Sequence, residues 1–209
     1  MKRVVVKNVL CSHNLYVKFS DGSFVPGGSD QLLDTLPSWG PEFRVSFDLY
    51  INSFPNTNTS GYAEIFRFTG SHSNYGSYED RIPALYVHKD GNIAIAHFSC
   101  LPACPLYASN LGTWYKIDLQ QYIKNNQVKT GHKHKSYVPR VSNFHLFQYI
   151  FEVRIDNTVV NNLIISNSVI QELKNVKVLA RSTKFHQLAD VRIKNLVYNS
   201  GKSGRYKLQ

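Results

Sequence analysis

The chain has 209 residues, is 43% hydrophobic and 18% charged, and carries a formal net charge of +10. That composition excludes wholesale disorder, and the length allows one large domain to bury a sizeable core without disulfides or metals. Thirteen Tyr and twelve Phe against a single Met suit sheets better than helical bundles.

Val4–Leu10 and Leu15–Phe19 read as strands, broken by Ser12-His13-Asn14. Asp21–Asp30 is a loop around Pro26-Gly27-Gly28. Glu42–Ile51 is the clearest strand. Phe43, Val45, Phe47, Leu49 and Ile51 share one face, and Arg44, Ser46, Asp48 and Tyr50 the other, so one face belongs to a core and the other to solvent or a groove. A turn-rich connection holds Asn58-Thr59-Ser60, a glycosylation acceptor sequence usable only in a secreted chain. The strand pattern resumes at Tyr62–Phe68 and is followed by the long polar loop Gly70–Arg81.

Ile82–Phe98 reads as a hairpin turning at Lys89-Asp90-Gly91-Asn92. Asp-Gly between alternating apolar runs predicts a type I′ turn. Pro83 removes a ladder donor and marks a strand start or an edge. Cys100–Gly112 reads as irregular, and Thr113–Tyr122 as a strand with Trp114, Lys116 and Asp118 opposite Tyr115, Ile117 and Leu119. Lys124–Asn143 has the composition of an exposed basic insertion. His145–Asp156 turns at Asp156-Asn157 into Thr158–Ile165. A helical turn is expected within Ile164–Leu173, final strands over Asn175–Arg181 and Val191–Tyr198, and a basic tail over Asn199–Gln209. About a dozen short strands predict a single antiparallel two-sheet β-sandwich of jelly-roll type over residues 1–198.

The charge is one-sided. Residues 1–118 hold nine Lys/Arg and ten Asp/Glu, whereas residues 119–209 hold fifteen and four. A basic half points to an anionic partner such as a sulfated glycan, and equally to a surface tuned for solubility. Lys129, His132, Lys133, His134, Lys135 and Arg140 form the densest basic group, suited to sulfate or phosphate or simply to a solvated loop. Nucleic acid is disfavoured, because no Gly-rich aromatic strand motif accompanies the charge. Met1-Lys2-Arg3 is basic, but Val4-Val5-Val6 is cut off by Lys7-Asn8, so no signal peptide is read here. No apolar run approaches the roughly 18 residues of a membrane span. Cys100 and Cys104 either close a small disulfide loop or are two thiols; Cys11 is the odd one out. Three cysteines without further ligands make a poor zinc site.

Five stretches taken in order resemble the concanavalin A-like lectin/glucanase superfamily, and within it a laminin G-like jelly roll of animal extracellular proteins. They are Trp39–Tyr50, Asp80–His88, Thr113–Leu119, Tyr149–Asp156, and Lys174–Ala180 with Ile193–Val197. The resemblance covers about residues 36–198 and is specific for fold rather than function. It implies an extracellular, non-catalytic module that binds a glycan or a cell-surface or matrix protein. A structural or adhesion sandwich without a sugar site is the alternative, and a polysaccharide-active enzyme ranks third. Glucanases of the superfamily carry Glu-x-Asp-x-x-Glu on one strand, whereas Glu152 and Asp156 stand four apart around Arg154 with no third acid, which reads as structural. The resemblance admits calcium as a cofactor, on Glu79, Asp80, Asp90 and carbonyls, although no Asp-x-Asp cluster is present.

Tyr75, Tyr78, Asp80 and Arg81, with His88 at the end of the hairpin's first strand, are the candidate ligand-binding set. Sugar sites combine an aromatic face with charged groups that orient hydroxyls. A Tyr-rich loop sealing the sandwich edge is the rival reading. Trp39-Gly40-Pro41-Glu42-Phe43-Arg44 fits the galectin pattern Trp-Gly-x-Glu-x-Arg, but no His-x-Asn-x-Arg strand precedes it. Trp39 is therefore expected to pack at a sheet edge, with Arg44 toward solvent.

Overall fold

The computed structural model describes residues 15–18, 31–56, 61–70, 82–97, 100–124, 148–165, 173–180 and 189–200. Among them are twelve strands and no helix: β1 Leu15–Lys18, β2 Gln31–Trp39, β3 Phe43–Ser53, β4 Tyr62–Thr69, β5 Ala84–His88, β6 Asn92–His97, β7 Cys100–Ala108, β8 Trp114–Lys124, β9 Gln148–Ile155, β10 Thr158–Ile165, β11 Leu173–Ala180 and β12 Asp190–Ser200. They form two six-stranded antiparallel sheets, ordered β1-β12-β3-β8-β9-β10 and β2-β11-β4-β5-β6-β7. The fold is the expected β-sandwich.

Alternation explains why these residues stack as two layers. On β3 the apolar set Phe43, Val45, Phe47, Leu49 and Ile51 is buried, and the intervening Arg44, Ser46, Asp48 and Tyr50 are half-buried on the other side. Tyr115, Ile117 and Leu119 of β8, Phe151, Val153 and Ile155 of β9, and Val191, Ile193 and Tyr198 of β12 extend that inner layer. The second sheet answers with Leu36, Trp39, Phe66, Phe68, Leu85, Val87, Ile93, Ile95, Val176 and Val178, and one core cluster spans both sheets. Trp39 sits in it, its ring centroid 4.4 Å from Phe43, 4.9 Å from Phe68 and 4.7 Å from Tyr198.

Several local expectations change. β2 was not foreseen, and Cys100–Gly112 is not irregular: its first nine residues are β7. Both strands are the outer strands of the second sheet, where Pro37, Pro102 and Pro105 cost fewer ladder bonds. The β5–β6 turn is a three-residue loop in which the Gly91 amide donates to the His88 carbonyl at 2.9 Å and Gly91 alone has positive φ (85°), rather than a type I′ turn. The pair of positive φ angles that a type I′ turn needs occurs instead at Asp156 and Asn157, joining β9 to β10. Pro83 marks a strand start, since β5 begins at Ala84 and lies between β4 and β6. Asn199 and Ser200 pair with Arg44 and Phe43, so the last strand takes the first two residues of the expected tail. The strand expected at Val4–Leu10, the loop at Asp21–Asp30, residues 166–172 of the expected helical turn and the sequence Asn58-Thr59-Ser60 lie outside the described residues.

Candidate functional site

Strand register turns the outer face of the first sheet into rungs that no local reading of the sequence supplies. Arg192, Tyr50 and Trp114 form one rung; Lys194, Asp48 and Lys116 the next. A third holds Ser46, Asp118 and Arg154, and a fourth Arg44, Gln120 and Glu152. A bulge in β12 between Lys194 and Val197 adds Asn195 at φ 54°, whose side-chain amide donates to Asp48 at 2.7 Å.

The third and fourth rungs are cross-braced. Arg44 Nε donates to Asp118 Oδ1 at 2.8 Å, and its Nη2 bonds Oδ2, a bidentate pair. Glu152 accepts from Gln120 at 2.6 Å and from Arg154 at 2.5 Å on one oxygen, and from the Tyr122 hydroxyl at 3.4 Å on the other. Burial and then the Glu152 charge push the Tyr122 phenol above its usual range. The first rungs are more open. Trp114 is 37% exposed, with Tyr50 5.2 Å away between ring centroids. Lys194 Nζ lies 4.0 Å above the Trp114 ring, and the Arg192 guanidinium 6.0 Å from that of Tyr50.

Of the ligand-binding and basic residues singled out from the sequence, His88 is the one that is described. Tyr75, Tyr78, Asp80, Arg81 and Glu79 lie outside the described residues, as do Lys129, His132, Lys133, His134, Lys135 and Arg140. His88 is described and does local work: its Nδ1 accepts from the Asp90 amide at 3.3 Å, lies 3.2 Å from the Asp90 carboxylate, and the ring packs on Tyr62 at 4.5 Å. It points to the outer face of the second sheet, beside a cluster the sequence did not flag. There Arg67 donates to Glu64 at 2.6 Å and the Tyr86 hydroxyl to the other Glu64 oxygen at 3.1 Å, over Ala84, Ala94 and Ala96. All three polar residues are buried, so this cluster is an enclosed ion pair rather than an open binding surface.

Trp39 of the Trp-Gly-x-Glu-x-Arg stretch lies on an edge strand, as expected, but its ring is fully enclosed and cannot stack on a sugar. Arg44 is not simply solvated; it is half-buried and committed to Asp118. Glu42 is committed too, accepting the Ile123 amide at 3.0 Å. Among the described residues no group of three or more His, Cys, Asp or Glu could hold a metal ion. What sequence reasoning missed was the meeting of Trp114 with Tyr50, Arg192 and Lys194. The alternation on β3 and β8 displayed two of these residues on outward positions but not their pairing.

No protein-family model and no curated protein matches this chain. Among solved structures it is similar to Trypanosoma rangeli sialidase, at 13% identity and a TM-score of 0.46 over 75% of this chain and 20% of that one. It is also similar to an endo-β-1,4-glucuronan lyase from the fungus Trichoderma reesei, at 10% identity and a TM-score of 0.48 over 90% and 80% of the two chains. A third is the receptor-binding domain of botulinum neurotoxin type G, at 10% identity and a TM-score of 0.49 over 91% and 41%. The chain thus spans about a fifth of the sialidase it matches. Likeness at this level leaves the reading of the site to its own residues.

Proposed function

We propose that this protein is a non-catalytic recognition module that binds a glycan across the outer face of β12, β3, β8 and β9. The observation that carries the reading is the combination on one face of an exposed aromatic ring, Trp114, with two guanidiniums, Arg44 and Arg154, that stay about a third exposed while Asp118 and the buried Glu152 brace them in fixed positions. A ring supplies a stacking surface, and fixed planar charged groups orient hydroxyls with little ordering cost. An extracellular setting goes with this reading, from the laminin G-like resemblance.

The non-catalytic part of the reading draws support from the same geometry: both Asp118 oxygens are held by Arg44 and both Glu152 oxygens accept hydrogen bonds, which suits groups that orient a ligand. A phenol whose proton is held more tightly, as at Tyr122, is a poor base for β-elimination. The test is a glycan array followed by calorimetry on the best ligands. Trp114→Ala is expected to weaken binding at least tenfold, and prolonged incubation to leave the polysaccharide intact. Unchanged binding by Trp114→Ala would remove the site from this face, and any hydrolysis or elimination product would overturn the non-catalytic reading.

A second reading, an adhesive or self-associating sandwich, has one observation in its favour: Val159 and Ile164 are 45% and 65% exposed on β10, the last strand of the first sheet. Light scattering across a concentration series separates it from the first, because only self-association makes the mass rise.

A further inference from the structure

The open face is not chemically uniform. At the third and fourth rungs each guanidinium is matched by a carboxylate. At the first and second, Lys116, Arg192 and Lys194 enter no ion pair among the described residues. The acids that share this end are engaged by uncharged donors instead. Asp48 is held by the Asn195 side chain at 2.7 Å, Asp190 by the Asn52 side chain at 2.6 Å, and Asp156 by the Lys116 backbone amide at 2.8 Å. Three cations are therefore left to face outward around an exposed ring, two of them resting over aromatic faces.

From this we infer that the Trp114 end of the face binds the anionic group of an acidic sugar, a carboxylate or sulfate, with Lys194 and Arg192 as its principal partners and Lys116 at its flank. The inference rests on the glycan-binding reading above and adds the ligand's charge. A neutral sugar would have to displace Lys194 from the ring with no charge interaction in return. An anionic sugar draws Lys194 Nζ and the Arg192 guanidinium onto its acid group, and leaves the Trp114 ring available to the sugar's apolar face. The named partners include none of the basic residues between Lys129 and Arg140, so acid recognition is expected to survive neutralising those residues.

The test uses a matched pair, an oligogalacturonate hexamer and its methyl ester, which differ only in charge, with a heparin hexasaccharide to report sulfate. The full chain is titrated by calorimetry at two salt concentrations. The acid form, the sulfated form or both should bind at least tenfold more tightly than the ester and weaken as salt rises. Lys194→Met keeps the stem over Trp114 but removes the charge. With Arg192→Gln it should erase the preference for acid over ester, and near-UV circular dichroism checks that both variants are folded. If acid, sulfate and ester bind equally, or if the two variants keep the preference, the inference fails while glycan binding stands. If no sugar binds, the glycan-binding reading itself falls, and the inference with it. A single-stranded oligonucleotide of equal charge that binds as tightly as the hexamer would also overturn it, because charge alone would then be recognised.

Discussion

Acid should destabilise this fold through one identifiable side chain, His97. Its parity on β6 turns it inward with Ile93 and Ile95, where it is 1% exposed and stacks on Phe151 at 4.1 Å with the rings 9° from parallel. Burial lowers its pKa from 6.5 to about 3, against a smaller upward pull from a hydrogen bond with Gln121. The folded pKa lies below the unfolded one, so the neutral ring's contribution is complete above pH 6.5 and is lost as pH falls toward 3. Each pH unit in that window withdraws about 1.4 kcal/mol, hence about 2 kcal/mol by pH 5 and on the order of 5 kcal/mol across the whole window. Guanidinium melts at pH 7.5, 6 and 5 measure it. His97→Gln and His97→Leu are both expected to be less stable at pH 7.5 but to lose about 2 kcal/mol less than the parent on going to pH 5. If both variants keep the parent's acid slope, the reasoning is wrong and His97 does not carry the acid sensitivity.

Two further outcomes probe the core and the hairpin. Trp39→Ala removes a ring that touches Phe43, Phe68 and Tyr198 at full burial, and should cost about 3–5 kcal/mol in a denaturant melt; Trp39→Phe should cost clearly less. Gly91→Ala forces a side chain into φ 85° with its Cβ 3.0 Å from Phe54 and 3.2 Å from the Ser109 carbonyl, which should cost about 1–3 kcal/mol and lower Tm, whereas the same change at Gly40, which has ordinary space, should be mild.

The strands that the sequence displays best are those with one wet face. β3 and β8 are legible residue by residue because Arg44, Ser46, Asp48 and Tyr50, and Trp114, Lys116 and Asp118, alternate with core positions. β2 and β7 were hidden by prolines that an edge tolerates, and by β2's irregular burial, in which Leu32 is 54% exposed while Leu36 is fully enclosed. The site was harder still. Trp114 and Arg192 come to flank Tyr50 because β8 and β12 pair on the two sides of β3; pairing at such sequence distances leaves no local mark. Glu64, Arg67 and Tyr86 went unnoticed for a similar reason. A bulge between Glu64 and Phe66 puts Glu64 and Arg67 on one face three residues apart, a spacing that ordinary period-two reading assigns to opposite faces. The two-sheet sandwich was legible in the order of its strands, while the loop whose Tyr, Asp and Arg residues suggested a binding site lies outside the described residues.

The hairpin of β5 and β6 has buried residues on both of its faces: Leu85, Val87, Ile93 and Ile95 on one, Ala84, Tyr86, Ala94 and Ala96 on the other. Solvent therefore reaches its amides only when a covering layer lifts or the sheet opens. In a deuterium-exchange experiment these strands should set the slowest rate in the molecule and report global unfolding, whereas the amides of β10, at the margin of the other sheet, should exchange through local fraying. The segment that read first as a simple two-stranded ribbon thus marks the last part of the protein to meet water.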